Sequence, residues 1–106
     1  MTALPLRARA QEQAELCGVF ANATRILIFW TLVEHEKSVG EIAEAIDASL
    51  QSTSQHLRIM KQRNVLRSRR NGQMIYYRIS EQMGGCRHFL ETARLGVRSP
   101  QESSKL

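Results

Sequence analysis

The dipeptide Asn71-Gly72 is the strongest local constraint on the fold of this chain. It separates two runs rich in Val, Ile and Tyr, 65–69 and 73–79. Asn-Gly between such runs is typical of a two-residue β-hairpin turn, because both central residues of that turn need a positive φ. The hairpin directly follows a polar segment with helical periodicity, 50–63. A helix and a β-hairpin are therefore predicted to lie side by side.

Positive charge is concentrated in the same part of the chain. No acidic residue occurs between Asp47 and Glu81, although the whole chain contains 10. The interval instead contains a set of cationic side chains: Arg58, Lys61, Arg63, Arg67, Arg69, Arg70 and Arg78. A helix and a hairpin of one charge sign are typical of a surface that binds a polyanion, and double-stranded DNA is the expected partner.

Length and cysteine content limit the remaining possibilities. The 106 residues are enough for one domain, predicted at 6–97 with flexible termini at 1–5 and 98–106. No long apolar segment and no secretory leader is recognisable, so a cytoplasmic protein without a membrane partner is expected. In that compartment Cys17 and Cys86 are expected to be free thiols.

Two helical segments open the chain. From Leu6 onward, apolar side chains recur at helical spacing, and Cys17 falls on the apolar stripe. Asn22 is predicted to cap the next helix, 23–34, which is apolar nearly all round and is therefore expected to be the central buried helix. Residues 35–37 are predicted to form a polar turn.

The next two helices are short and closely spaced. Ser38 is predicted to cap the third helix, with Glu41 at the capping-box position. Ser49 is predicted to cap the fourth helix, which runs to about Arg63. Two short helices joined by so tight a connection are typical of a helix-turn-helix. The inward stripe of the fourth helix is formed by Thr53, Leu57 and Met60.

A last helix is predicted after the hairpin. It opens at Glu81 and carries Cys86 on its apolar stripe, while Gly84 and Gly85 delay its start. The predicted order is four helices, two strands and a fifth helix. This is a mainly α fold with a β-hairpin wing, the winged helix-turn-helix.

Five short motifs point to a family. In chain order they are Ala21-Asn22-Ala23-Thr24-Arg25, Ser38-Val39-Gly40-Glu41-Ile42-Ala43, Ser52-Thr53-Ser54-Gln55-His56-Leu57, Arg67-Ser68-Arg69-Arg70-Asn71-Gly72 and Tyr76-Tyr77. Together they resemble the ArsR/SmtB family of bacterial transcriptional repressors over roughly 20–80. The resemblance implies a homodimer whose interface is formed by the first and last helices. It also implies that the fourth helix recognises DNA, and that repression is relieved when an inducer binds.

The chain departs from this family in its metal-binding motifs. Members that sense metals through the third helix carry a Cys-x-Cys type motif, where this chain has Ser38-Val39-Gly40-Glu41-Ile42. The last helix offers Glu81, His88 and Glu91, and their spacing does not match the ligands of the zinc, cobalt or nickel sensors. Asp47 also replaces the usual glycine of the helix-turn-helix turn, and Asp can adopt the conformation needed there at some cost.

The DNA contacts are predicted residue by residue. The candidates for base edges are Gln51, Ser54 and Gln55, because Gln pairs bidentately with adenine and Ser accepts several bases. His56 and Arg58 are placed at either bases or backbone. The candidates for phosphates on and around the fourth helix are Ser49, Ser52, Lys61 and Arg63. Those on the wing are Arg67, Arg69 and Arg70, with Asn71 at its tip.

Three interpretations of the cysteines remain open. Cys17 and Cys86 lie on the stripes of the first and last helices, which pack together if the resemblance holds. They are buried structural residues, or a dithiol that forms a disulfide or polysulfide bridge, or, with His88, ligands of a thiophilic metal or arsenite. No other cofactor is expected.

Two other function classes are less well supported. No enzyme is expected, because the chain has no nucleophile with a base and an orienting partner, and no phosphate-cradling glycine loop. A winged helix that contacts another protein is the alternative to DNA binding. Such domains usually lose the basic wing and the polar outer face of the fourth helix, and this chain keeps both.

Overall fold

The chain folds in the order that its sequence predicts, and the winged helix-turn-helix is confirmed. The computed structural model describes residues 5–83 and 85–95, so the predicted termini, apart from Pro5, lie outside the described residues. The elements are α1 (Leu6–Gly18), α2 (Ala23–Leu32), β1 (Lys37–Ser38), α3 (Val39–Ala45), α4 (Leu50–Gln62), β2 (Leu66–Asn71), β3 (Met74–Ile79), a 3₁₀ turn (Glu81–Met83) and α5 (Gly85–Arg94).

The sheet contains one strand that the sequence analysis did not predict. Its order is β1-β3-β2, and both pairings are antiparallel. Lys37 pairs with Tyr77 and Ser38 with Tyr76, so the prediction of a polar turn at 35–37 is wrong at Lys37. Two residues carry no periodicity, and this strand exists because β3 offers a free edge. It joins the hairpin to the segment between α2 and α3.

The hairpin turn lies one residue later than predicted. Asn71 pairs with Met74, so the two central residues are Gly72 and Gln73. Of these only Gly72 has a positive φ, 65°, and Asn71 belongs to β2. Positive φ at the first central position alone is the pattern of a type II′ turn, which prefers Gly there. The hairpin is confirmed, and the expectation of positive φ at both Asn71 and Gly72 is wrong for Asn71.

The helix boundaries follow the predicted caps. The Asn22 side chain accepts a hydrogen bond from the Arg25 N–H, and the Ser49 hydroxyl accepts one from the Ser52 N–H. Ser38 and Glu41 form the complete capping box. Each cap satisfies an N–H group that the first helical turn leaves without a partner.

The core is built around α2 and the inner face of α4. Ile28 and Phe29 are fully buried, as are Leu57 and Met60 on α4. The α2 helix is less enclosed than predicted, because it ends at Leu32 and its Leu27 is 43% exposed. The predicted inward stripe of α4 is confirmed.

Helices α1 and α5 flank this core and carry much of the exposed apolar surface. No residue of α1 is buried, and Leu6 is 79% exposed. On α5, Cys86 and Leu90 pack into the core, while Phe89 is 73% exposed. The Trp30 Nε1–H donates to the Leu90 carbonyl oxygen at 2.9 Å and ties α5 to α2. Among the described residues no single helix is long and apolar enough to cross a membrane, and only α1 and α2 together, bent by 85°, pass that test.

Candidate nucleic-acid interface

Helix α4 presents a polar outer face. The turn before it requires a left-handed residue, and Asp47 adopts a φ of 55° there. Asn64, just after the end of α4, is also left-handed, with a φ of 64°. Between these points the predicted DNA contacts are exposed or partly exposed: Ser49, Gln51, Ser52, Ser54, Gln55, His56, Arg58, Lys61 and Arg63. This face contains hydrogen-bonding and cationic groups and no carboxylate.

His56 is the member of this set that the structure turns partly inward. The Arg25 Nε–H of α2 donates to His56 Nδ1 at 3.2 Å, and Arg25 Nη1 also reaches the Val19 carbonyl oxygen at 3.4 Å. Burial lowers the pKa of His56, and the charge of Arg25 lowers it further. Because Nδ1 accepts a hydrogen bond, the ring is neutral and its Nε2–H can donate outward.

The wing carries the other predicted contacts. Arg67, Arg69, Arg70 and Asn71 are all exposed on β2. A cleft of about 270 Å³ separates the wing from the start of α4. Leu50 and Met74, which are 60% and 48% exposed, are the most exposed apolar residues of its lining. Neither residue was predicted to lie at the interface, because helical and strand periodicity predict apolar side chains to be buried.

Two carboxylates fold back onto the wing. Arg69 Nε lies 2.9 Å from Oε1 and 3.0 Å from Oε2 of Glu36. Arg67 Nε lies 3.5 Å from one oxygen of Glu81, and Arg78 Nη1 lies 3.3 Å from the other. In the folded chain, these two carboxylates therefore partly neutralise the positive charge of the stretch that contains no acidic residue. These contacts were not predicted, because both carboxylates lie outside that stretch.

These contacts shift the protonation equilibria of the charged groups. The hydrogen bond from Arg69 lowers the pKa of Glu36, and the same contact raises the pKa of Arg69. A backbone hydrogen bond is the largest cause that lowers the pKa of Glu81, followed by the hydrogen bond from Arg78. Glu36, Arg69 and Glu81 are therefore ionised at neutral pH.

The two cysteines lie in one packed cluster between α1 and α5. Cys86 is 6% exposed and belongs to the core, and Cys17 is partly exposed and packs against it. Burial raises the pKa of the Cys86 thiol to about 12, with a further contribution from a hydrogen bond with Cys17. Gln13 Nε2 donates to Cys17 Sγ at 3.2 Å. The structure thus brings together two of the three predicted thiol and metal candidates.

The third candidate, His88, is exposed on α5. Within 5–83 and 85–95, no group of three or more His, Cys, Asp or Glu side chains is arranged to hold a metal ion. The pair Cys17 and Cys86 therefore has no third ligand among these side chains.

Comparison with known proteins extends these observations. No protein-family model matches the chain. The regulator KmtR of Mycobacterium tuberculosis is 37% identical over 68 residues, which cover 64% of this chain and 52% of that protein. This chain therefore spans about half the length of that relative. The biofilm growth-associated repressor of Xylella fastidiosa is 35% identical over 81 residues, covering 76% of this chain and 71% of the repressor.

Solved structures with the same fold cover nearly the whole chain. The repressor BigR of Xylella fastidiosa superposes with a TM-score of 0.76 at 28% identity, covering 93% of this chain and 99% of BigR. The homodimeric winged helix-turn-helix DNA-binding domain of Mb0332 from Mycobacterium bovis, a possible ArsR-family regulator, has a TM-score of 0.71 at 26% identity, covering 91% and 89%. With a curated relative above 30% identity over most of its length, these similarities establish that the chain belongs to the ArsR/SmtB family of transcriptional regulators.

Proposed function

We propose that this protein is a dimeric transcriptional repressor that binds a pseudo-palindromic operator through α4 and the wing. The observation that carries the proposal is the outer face of α4. It is capped at Ser49, exposed, free of carboxylates and placed beside a basic hairpin. Recognition helices of this kind enter the major groove with their N-terminal residues at the base edges.

The roles within α4 follow from side-chain chemistry. Gln51 and Gln55 lie one helical turn apart, so both can face the same groove. A Gln amide pairs bidentately with the N6 and N7 atoms of adenine, and the Ser54 hydroxyl pairs with several bases. Lys61 and Arg63 at the end of α4 suit phosphates, which fix the register of the protein on the duplex.

A second copy of the chain completes the proposed assembly. Helix α1 buries none of its side chains, and Leu6, Phe89 and Leu95 are 79%, 73% and 76% exposed. Apolar side chains on two adjacent helices suit an interface between identical protomers. Binding to two half-sites of a pseudo-palindrome requires the two α4 helices of this dimer to lie roughly 34 Å apart, one turn of DNA.

Fluorescence anisotropy with an operator selected from random duplexes tests the DNA contacts. We expect Gln55→Ala to lose about 1–3 kcal/mol of operator affinity and to relax the preference at one base pair. Binding to random duplex should not change. The matched control is Gln82→Ala, an exposed glutamine of the 3₁₀ turn that lies outside the proposed DNA and dimer surfaces.

Arg70→Gln tests the role of the wing. We expect it to weaken binding to operator and random duplex alike, and to lower the slope of log affinity against log salt by about 0.9.

Equal losses on both duplexes for Gln55→Ala would show that α4 does not read the base sequence. A wild-type chain that binds no duplex at all would overturn the proposal and favour a protein-contact domain.

We also propose that the inducer acts at Cys17 and Cys86. The support is their contact between the two helices assigned to the dimer interface. A two-electron oxidant such as hydrogen peroxide would convert the partly exposed Cys17 to a sulfenic acid and release water. The neighbouring Cys86 sulfur would then displace a second water and form the disulfide. Bridging α1 to α5 would alter the interface and release the DNA.

The same binding assay distinguishes the possible inducers. Operator affinity is measured under reductant, hydrogen peroxide, inorganic polysulfide and arsenite, for the wild type, Cys17→Ser and Cys86→Ser. An oxidative switch predicts release by peroxide or polysulfide in the wild type only, with reversal by reductant. A thiophilic ligand predicts release by arsenite under reductant. If both variants respond as the wild type does, the thiols are structural.

A further inference from the structure

Arg69 is held from two sides, unlike the other arginines of the wing. Its guanidinium binds the carboxylate of Glu36 through Nε, at 2.9 Å and 3.0 Å, and through Nη2. Its Cζ also lies 4.8 Å from the ring centroid of Tyr76. A guanidinium that binds a carboxylate and also lies over an aromatic ring has little freedom left to reach another anion.

The contact between Arg69 and Glu36 connects two separate parts of the fold. Arg69 on β2 is directly opposite Tyr76 on β3. Glu36 immediately precedes β1, which pairs with the other edge of β3. The Arg69 side chain therefore spans the sheet from the outer strand of the wing to the connection between α2 and α3. That connection begins at the core helix α2 and leads into the helix-turn-helix.

The neighbouring arginine is in a different situation. Arg70 is exposed and forms no ion pair within the described part of the chain. Successive residues of a strand face opposite sides of the sheet, so Arg69 and Arg70 cannot share one partner. Adjacent arginines with the same sequence signal thus have different surroundings.

We infer that Glu36 and Arg69 form a strut that positions the wing for DNA, and that Arg70 supplies the wing's phosphate contact. The inference rests on the proposed function. It assigns Glu36, an acidic residue far from the basic stretch in sequence, to operator binding. Arg69 and Glu36 act here as positioning residues and need not touch DNA.

The alternative is that Arg69 leaves Glu36 and binds a phosphate. Arg69 would then lose its bidentate ion pair and its contact with Tyr76. The unpaired Glu36 carboxylate would remain close to the DNA backbone. The lowered pKa of Glu36 keeps that carboxylate charged at neutral pH. The two possibilities predict opposite effects when the carboxylate is removed.

The test measures operator affinity of the full chain across a salt series for Glu36→Gln, Arg69→Gln and the double variant. The strut predicts that Glu36→Gln weakens binding by about threefold to tenfold, although it removes a negative charge. Arg69→Gln should have the same effect, and the double variant should be no worse than either. Salt slopes should match the wild type, whereas Arg70→Gln should lower its slope by about 0.9.

A charge exchange separates the two possibilities most sharply. Glu36→Arg combined with Arg69→Glu restores the ion pair in reverse. The strut predicts affinity within about fivefold of wild type, the remainder reflecting the lost contact with Tyr76. A phosphate contact predicts that the exchange is as poor as Arg69→Glu alone. Glu44→Gln, at an exposed carboxylate of α3 without an ion pair among the described residues, is the matched control.

The outcomes are distinguishable from failure of the proposed function. If the wild type binds the operator but Glu36→Gln strengthens binding and raises the salt slope, the strut is overturned and Arg69 is a phosphate contact. If the wild type binds no duplex, the proposed function itself fails. Thermal unfolding of each variant shows that the measured losses come from folded protein.

Discussion

The Cys86 thiol should be far less reactive in the folded protein than its neighbour. Cys86 is 6% exposed, whereas Cys17 is partly exposed. The thiolate is the nucleophile in alkylation and in disulfide exchange. A thiol that stays protonated reacts slowly with an external alkylating reagent. We therefore expect iodoacetamide at pH 7.5 to label Cys17 first and Cys86 only slowly.

The size of the effect follows from the pKa of Cys86. Burial, together with the hydrogen bond and charge of Cys17, raises that pKa from 9.0 to about 12. At pH 7.5 the thiolate fraction of Cys86 is then about a thousandfold lower than that of an unshifted thiol. Its alkylation rate should fall in proportion, and should rise about tenfold for each pH unit between 7 and 9. Reagent access to a buried sulfur slows the reaction further.

Mass spectrometry of peptides after timed alkylation measures both rates in one sample. Urea-unfolded protein is the control, and in it the two thiols should react at similar rates. Cys17→Ala should speed labelling of Cys86, because two of the three causes of its raised pKa disappear, but burial should keep it slow. Equal labelling of both thiols in the folded wild type would show that Cys86 is neither buried nor protonated as described.

Four substitutions test the fold itself. Thr53→Val should stabilise the protein by about 1 kcal/mol, raising Tm by about 4–8 °C, because the buried Oγ1 has no hydrogen-bond partner among the described residues. Asp47→Gly should stabilise by about 0.5–1 kcal/mol in urea unfolding, because φ is 55° there. Ser38→Ala should cost about 1 kcal/mol. The hydrogen bonds of the capping box lower the pKa of Glu41, so the stabilisation that the box contributes is complete above pH 4.5 and is lost as pH falls through the folded pKa. In acid unfolding, Glu41→Gln should lack this pH-dependent part of the stability.

The fold was predictable where a local signal decides the structure. The caps at Asn22, Ser38 and Ser49 place oxygen atoms next to free N–H groups within three residues, so the sequence contains both partners. The hairpin followed from Asn71-Gly72. Its register did not, because only the pairing with β3 decides which two residues form the turn. Strand β1 was missed for the same reason.

The polar and cationic surface of α4 and the wing was predictable in composition and not in its internal contacts. The exposed polar face of α4 follows from helical periodicity and from the absence of carboxylates in one stretch. The contact between Glu36 and Arg69 joins residues 33 positions apart, and no periodicity relates them. Cys17 and Cys86 could be placed on apolar stripes, but their contact depends on how α1 meets α5.

The cysteine pair and helix α4 are linked by a short series of contacts. Cys86 lies in the first turn of α5, and α5 is tied to α2 where Trp30 donates to the Leu90 carbonyl oxygen at 2.9 Å. At the other end of α2, Arg25 donates to His56 on α4 at 3.2 Å. Helix α2 is fully buried at Ile28 and Phe29, so it moves as a packed unit or not at all. If a bridge displaces α5, the two ends of α2 carry the polar contacts through which that displacement would reach α4.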